Sequence, residues 1–511
     1  MNPPGSILAS CGLALIAGAL LACAFAPLEW WPLAVLSPAA LMWLIDGASR
    51  RRAAWSGFCF GAGTFGLGTW WLYVSVHGFG GAPLWLTGLV VLGLVAIMAL
   101  YHALLAYLAV RFLPAGGAWR YLVGLPALWL LIEWLRGWFL SGFPWLTLGE
   151  SQTDTWLRGF APVGGMYGVS ALLLLGSGAI VALLRGPRRL RLPALGLLLL
   201  PWPIALALTR VSWVHPDGPP VSVAVLQGAI PQDQKWQADN IEPTQELYTR
   251  LNDEALGSQL IVWPESALPE LANDVPQYLG QLYSRAREHG SDVVMGIIRA
   301  DDEDTYFNSI MTLSDRVHFY SKHHLVPFAE YFPVPPFVRS WLRLMSLPYS
   351  DFTAGPADQP AVPAAGTWLS LSICYEDAYN SAGLSALRQA RVLVNVTNDA
   401  WFGRSWARFQ HFQISRMRAI EVQRPLVRAA NDGISALVGP RGEVLARAPE
   451  YIPTVLRGSV QPLAGLTPFA RLGNALVLLP AFLAAGLAVR AAHRDRGART
   501  GPDAPDGSAG A

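Results

Sequence analysis

Three reactive groups in this chain share one kind of address, just past the end of an apolar run. Cys374 follows the alternating stretch Thr367 to Ile373, which reads as a strand. Glu265 follows Gln259 to Trp263, within Val-Trp-Pro-Glu-Ser. Lys322 follows Val317 to Tyr320 and opens a segment that ends at Glu330, while Glu376 stands two residues past the cysteine. A thiol needs a base to become a thiolate near neutral pH. A carboxylate desolvated among Trp and Pro can have a raised pKa and serve as that base. A lysine then supplies a fixed positive charge for the thiolate and for an oxyanion. The chain has 4 cysteines, and the others, Cys11, Cys23 and Cys59, lie in apolar runs near the N-terminus. Cys374 therefore has no disulfide partner in its own region.

Taken one at a time, these residues have plainer readings. A lone thiol is most often a small buried hydrophobe. Glu265 reads equally as a helix cap and Lys322 as a solvated surface charge. Glu330 and Glu376 read as ordinary hydrogen-bonded carboxylates. Their joint occurrence at strand ends is far more specific than any one of them. His323 and His324 are adjacent, so their side chains do not form a ligand pair on one face, and no metal or cofactor is expected.

The elements that must position the trio lie in residues 215–465, where short β-branched runs alternate with amphipathic stretches. Val221 to Leu226, Gln259 to Trp263, Asp292 to Ile298 and Arg391 to Val396 read as buried strands. Val275 to His289 reads as a helix stopped by Gly290. Phe307 to Leu313 with Val317 to Tyr320, and Ile434 to Val438 with Val444 to Ala446, read as two hairpins. Strands alternating with helices, plus hairpins, predict a layered α/β domain large enough to bury its own core.

The rest of the chain has a different texture. Hydrophobic residues make up 53% of the whole and charged residues 14%, with 21 tryptophans; a soluble chain averages about 25% charged. The formal charge of +2 gives no nucleic-acid signal. Before residue 210 there are seven apolar runs of the kind that span a membrane, at 7–26, 31–46, 54–76, 84–110, 121–141, 162–184 and 193–209. An eighth runs from 472 to 489. The first has no Lys or Arg before it and exceeds a usual signal-peptide core, so a retained helix is the reading preferred over a cleaved leader. Arg50, Arg51 and Arg52 follow the second run, Arg111 and Arg120 the fourth, and Arg185, Arg188, Arg189 and Arg191 the sixth. The positive-inside rule then puts the even-numbered ends and both termini in the cytoplasm and the 215–465 segment outside.

Two features of the helical part are more than anchors. Glu133 and Arg136, at i and i+3, read as an ion pair near the outer end of the fifth helix. Gly57, Gly61, Gly63, Gly66 and Gly68 read as a small-residue stripe for close helix packing.

The ordered trio Glu265, Lys322 and Cys374, in Trp-Pro-Glu-Ser, Lys-x-His-Leu-Val-Pro-Phe and Ile-Cys-Tyr-Glu, resembles the nitrilase superfamily. The flanks resemble its membrane-embedded bacterial branch, the apolipoprotein N-acyltransferases, in Gln227 to Trp236, Asn398 to Gly403, Gln410 to Gln413, Arg416 to Ala419 and Asn431 to Ile434. So does the helical half, in Gly57 to Gly61, Trp71 to Ser75, Phe79 to Gly81 and Gly142 to Trp145. One departure is Ala329, where the family usually has Gly before the second Glu.

The apolar runs divide the chain into a helical domain at 1–212, a domain at 213–465 and a last membrane helix at 466–492, and the Gly-, Pro-, Ala- and Asp-rich end reads as a disordered tail at 493–511; the resemblance implies that 213–465 is a nitrilase-like catalytic α-β-β-α sandwich. It implies transfer of an acyl chain from a phospholipid, typically phosphatidylethanolamine, to the α-amino group of a lipoprotein's diacylglyceryl-cysteine. Glu265 would be base, Lys322 oxyanion stabiliser and Cys374 nucleophile. Glu330 and Glu376 would orient Lys322 or line the pocket, and Trp236, Asn308 and Tyr375 would shape or gate it. The apolar stretch around Phe337, Trp341, Leu342 and Met345 reads as a membrane-facing arm. A membrane-tethered amidohydrolase of a small C–N substrate would share the trio, but would not need eight helices or an apolar arm. A transporter would leave the trio unexplained, and the chain shows no internal repeat of that kind.

Overall fold

The computed structural model describes residues 6–302, 305–331 and 352–500, with side chains described to residue 494. The Phe337, Trp341, Leu342 and Met345 segment lies outside the described residues.

Residues 221–460 fold as two six-stranded sheets face to face. One has the order β13 (Thr454–Val460), β2, β3, β4, β5, β6 and the other β12, β11, β10, β9, β8, β7 (Val362–Ala364), while β1 (Val214–Pro216) pairs antiparallel with β14 (Leu463–Gly465) outside them. In the first, β2 (Val221–Gln227), β3 (Leu260–Val262) and β4 (Asp292–Asp302) are parallel. In the second, β8 (Thr367–Ile373), β9 (Val392–Thr397) and β10 (Leu426–Ala430) are parallel. Both expected hairpins form: β5 (Thr305–Leu313) pairs antiparallel with β6 (Val317–Ser321), and β11 (Ala436–Val438) with β12 (Val444–Arg447).

Alternation along the strands sorts the side chains into layers. Val223, Val225, Leu260 and Val262 meet Leu369, Leu371, Val394 and Val396 between the sheets. Ala224, Leu226, Ile261 and Trp263 point the other way, onto the helices Ile241–Ala255 and Pro276–Glu288. The opposite outer layer is the helix Ala407–Val422. Burial on both faces explains why these strands read as near-continuous apolar runs.

The helical part differs in detail from eight equal spans. Four helices among the described residues are long and apolar enough to cross a membrane: Leu84–Phe112, Trp156–Arg185, Arg188–Leu208 and Ala475–Arg494. The runs near the N-terminus form shorter apolar helices, Ile7–Ala22 and Leu33–Leu44. The third run is the helix Arg50–Gly68, which begins on three arginines, and the fifth contains Leu125–Arg136.

The stripe on Arg50–Gly68 is a packing seam. A Cβ on Gly63 would fall 2.1 Å from the Leu15 carbonyl oxygen, and one on Gly57 2.2 Å from that of His102. Gly66 faces open space and is not part of the seam. Backbone-to-backbone contact leaves no flexible side chain to give way, so Gly63→Val is expected to destabilise the helical part by about 1–3 kcal/mol. A lower thermal unfolding midpoint in detergent checks this, with Gly66→Ala as the neutral control.

Glu133 and Arg136 do not pair directly; among the described residues no ion pair joins them. Both instead hold the chain that returns from their helix. Arg136 donates to the carbonyls of Phe143 (2.5 Å) and Trp145 (2.6 Å), and Glu133 accepts from the Leu148 N–H (2.9 Å). Elsewhere Asp46 gathers Arg120 and Arg185, each at 3.0 Å, which brings the end of the second helix, the start of the fifth and the end of the sixth to one place.

The sheets and the helical part meet along Ala407–Val422. Gln410 accepts from the indole N–H groups of Trp71 (3.1 Å) and Trp145 (2.7 Å) and donates to the Gly68 carbonyl (3.1 Å). Gln413 accepts from the Ala26 N–H, and Glu421 from the Met166 N–H. This helix is buried nearly all round because one face covers a sheet and the other covers membrane helices.

Candidate active site

The strand ends bring the expected groups together. Glu265 is carried by the turn after β3, Lys322 by the residue after β6, and Cys374 by the residue after β8. Cys374 has a left-handed backbone, φ 50°, which a non-glycine residue adopts only when its surroundings impose it.

Lys322 is buried and lies between two carboxylates. Its Nζ is 2.9 Å from Glu330 and 3.6 Å from Glu265 Oε1. Asn308 is the clasp: its Nδ2 donates to Glu265 Oε1 and to Glu330 Oε1, 2.8 Å each, and its carbonyl accepts from the Lys322 N–H at 2.8 Å. Asn308 reaches this place because it sits on β5, opposite Ile298 on β4 and next to β6. Burial pulls the Lys322 ammonium down, but the Glu330 and Glu265 carboxylates outweigh it, and the pKa rises above its ordinary value. Lys322 is a fixed cation. The Cys374 thiol is pushed up, first by burial and then by the Glu265 charge, with Lys322 opposing. At rest the thiol keeps its proton.

Glu330 touches Lys322 directly, whereas Glu376 works through the backbone. One Glu376 oxygen accepts from the N–H groups of His323 (2.8 Å) and His324 (3.2 Å). The other accepts from the Ile373 N–H (2.9 Å) and the Tyr320 hydroxyl (2.8 Å). It ties the Cys374 loop to the Lys322 loop. His323 Nδ1 is 2.7 Å from the Gly355 carbonyl, and the His324 ring stacks on Tyr379 at 4.0 Å.

Tyr375 turns from the nucleophile toward the helical part. Its ring stacks on Trp145 and its hydroxyl donates to the Gly142 carbonyl (3.3 Å). Trp236 is half-exposed. The preceding residue, Lys235, is buried and donates to the Glu265 carbonyl (3.2 Å); burial draws its pKa down to about 8.

Sequence reasoning gave no role to Lys235, Asp399, His411 or Arg428, which also crowd the site. Asp399 could have been found by the same strand-end address, since it follows β9 by two residues. His411 and Arg428 carry no such signal. Cys374, Asp399 and His411 place donor atoms within 4.8 Å of one another. Both His411 nitrogens already have partners, Nδ1 with Asp399 and Nε2 with the Cys374 carbonyl.

The arrangement is a nucleophile, a base and a fixed cation in a site fed by loops from both the sheets and the helical part. Comparison with known proteins points the same way. Residues 17–179 match the apolipoprotein N-acyltransferase N-terminal domain, and residues 222–468 the carbon-nitrogen hydrolase family. An apolipoprotein N-acyltransferase of Methylococcus capsulatus is 41% identical over 90% of this chain and 92% of its own. One from Pseudomonas aeruginosa is 40% identical over 89% and 91%. Among solved structures, a nitrilase-superfamily amidase from Nesterenkonia is similar at 18% identity and a TM-score of 0.35, over 49% of this chain and 93% of that one.

Proposed function

The chain belongs to the apolipoprotein N-acyltransferase family and is a membrane acyltransferase of that kind; on that premise we propose that Cys374 carries the acyl chain as a thioester between a phospholipid and the α-amino group of a diacylglyceryl-cysteine. The observation that carries the assignment is one ammonium beside two carboxylates. Glu330 neutralises Lys322, and Glu265 is left as the proton acceptor.

Glu265 takes the proton from Cys374 as sulfur attacks the donor ester. The oxyanion forms against Lys322 and a backbone N–H beside Cys374. Its collapse expels the lysophospholipid alkoxide, which leaves with the proton from Glu265. The acceptor amine then attacks the thioester and gives its proton to Glu265. The amide forms as the thiolate departs and is reprotonated. Asn308 holds Glu265 and Glu330 in place, Glu376 holds the two loops, and Trp236 and Tyr375 shape the entrance. The thioester is activated enough to acylate an amine, and water must be kept from it.

Both substrates are lipids anchored in a bilayer. We place the enzyme in the bacterial inner membrane, with eight helices, both termini cytoplasmic and the sheet domain on the periplasmic side. The convergence of Arg120 and Arg185 on Asp46 supports one basic face for the even-numbered ends. The contact of Tyr375 with Gly142, just past the fifth run, supports a site at the other face.

The test follows one labelled acyl chain. Purified enzyme given phosphatidylethanolamine labelled in the acyl chain is expected to become labelled, and a diacylated lipopeptide is expected to discharge the label as an amide. Discharge as free fatty acid, with the lipopeptide untouched, would instead make the protein a hydrolase.

A further inference from the structure

Glu265 and Cys374 stand on different sheets, at the ends of β3 and β8, so something must hold one sheet's turn in place against the other. Asn308 grips the end of the Glu265 side chain, and the backbone is held separately. The Trp263 N–H donates to the Val294 carbonyl (2.8 Å) and the Ala267 N–H to the Gly296 carbonyl (3.0 Å), both on β4. A Cβ on Gly296 would fall 2.5 Å from Glu265 Cα and from the Pro264 carbonyl oxygen, so the turn lies directly on that strand. Ser266 is left-handed, φ 44°, a conformation its surroundings must impose. Between these two bonds the Glu265 carbonyl accepts from Lys235 Nζ at 3.2 Å.

The segment that carries Lys235 leaves β2 in the Glu265 sheet but is fastened to the Cys374 sheet. Asn431, just past β10, donates to the Ile230 carbonyl (2.9 Å) and accepts from the Ile230 N–H (3.2 Å). Asn398, just past β9, donates to Gln232 Oε1 (2.7 Å). The Gln234 and Lys235 N–H groups, each 3.1 Å from the Pro231 carbonyl, close the turn. Lys235 thus reaches from a segment tied to the nucleophile's sheet to the backbone of the base.

Its side chain is buried, with Nζ 5.8 Å from the centre of the Trp236 ring. Among the described residues the Glu265 carbonyl is the one hydrogen-bond acceptor that Nζ meets. A carbonyl only accepts, so the hydrogen lies on the nitrogen whether the amine is charged or neutral. Burying an amine costs free energy that a methionine of similar length would not. Packing alone therefore does not explain a lysine here, whereas the need for a donor to this carbonyl does.

We propose that Lys235 is a positioning residue for Glu265, its Nζ fixing the carbonyl of the base and so setting the base in one sheet against the nucleophile in the other. This rests on Glu265 being the base.

Lys235→Met keeps the length of the side chain and removes the donor. Single-turnover thioester formation, read as mass gain at saturating phosphatidylethanolamine, is expected to slow roughly 10- to 100-fold. The half-saturating lipid concentration is expected to stay unchanged, because Lys235 acts through the base. With Glu265→Gln already present, adding Lys235→Met is expected to slow the reaction by no more than about twofold, since no base is left to position. If Lys235→Met does not fold, Lys235→Gln, polar but one bond too short for the carbonyl, takes its place in the same cycle. Equal slowing in both backgrounds, no slowing, or a change confined to the half-saturating concentration overturns the proposal. Glu265→Gln protein that formed the thioester at the normal rate would fail the base reading instead, whatever Lys235 does.

Discussion

Incubated with phosphatidylethanolamine alone, the unaltered protein gains the mass of one acyl chain, neutral hydroxylamine removes it, and Cys374→Ala protein gains nothing. Lipoprotein N-acylation by Cys374→Ala falls by roughly 10⁴-fold or more, because positioning and oxyanion stabilisation without a nucleophile leave only residual catalysis. The size of the effect follows from how completely the site is built around one sulfur. Glu265 and Lys322 flank it, and Glu376 pins the N–H of the preceding residue, Ile373. The substitution removes a single atom from a partly buried position and leaves those hydrogen bonds intact, so the protein folds and still binds lipid. A Cys374→Ala enzyme that acquired the acyl mass would move the thioester to another residue and end the mechanism as written. A folded, lipid-bound wild type that gained no mass would remove the phospholipid donor.

Glu265→Gln has the second largest effect. Glutamine keeps an oxygen for the Asn308 Nδ2, and Lys322 keeps Glu330 at 2.9 Å, so the local geometry survives. The proton acceptor is lost. The thiol it should deprotonate is held above its ordinary pKa by burial, with the Glu265 charge adding to it and Lys322 opposing. Without a base the thiolate is scarce near neutrality, and thioester formation slows by about 10²- to 10⁴-fold. Removing the carboxylate also removes one of the forces that raise the thiol pKa. The deficit therefore shrinks as pH rises and hydroxide takes over the deprotonation. Single-turnover rates of mass gain across pH measure this. A variant with near-normal rates at neutral pH would transfer the role of base elsewhere, and Lys235, on the Glu265 carbonyl with its pKa drawn down to about 8, would be the next group to replace.

Much of this was written locally. The run Thr367 to Ile373 alternates as a strand must, and it is β8. Glu265, Lys322 and Cys374 announced themselves by standing at strand ends, where side chains leave the sheet and can converge. Both hairpins and the helix Pro276–Glu288 carried their own turn and stop signals. Membrane character was legible in composition and in long apolar runs. How much of each run becomes continuous helix was not, as Leu33–Leu44 and Leu125–Arg136 show.

Tertiary structure decided the rest. The helix Ala407–Val422 has no amphipathic signature because a sheet covers one face and membrane helices the other, so its polar residues are buried with its apolar ones. Gln410 and His411 stood in a recognisable motif with no role attached, yet one ties Trp71 and Trp145 to the sheets and the other reaches the Cys374 carbonyl. Glu133 and Arg136 looked like a pair and became two grips on one loop. Periodicity records which face of an element is buried and whether a charge sits at its end. The partner across the gap is set by how two sheets and a membrane bundle stack, and Asn308, Glu376 and His411 acquire their roles only where that stacking closes around the thiol.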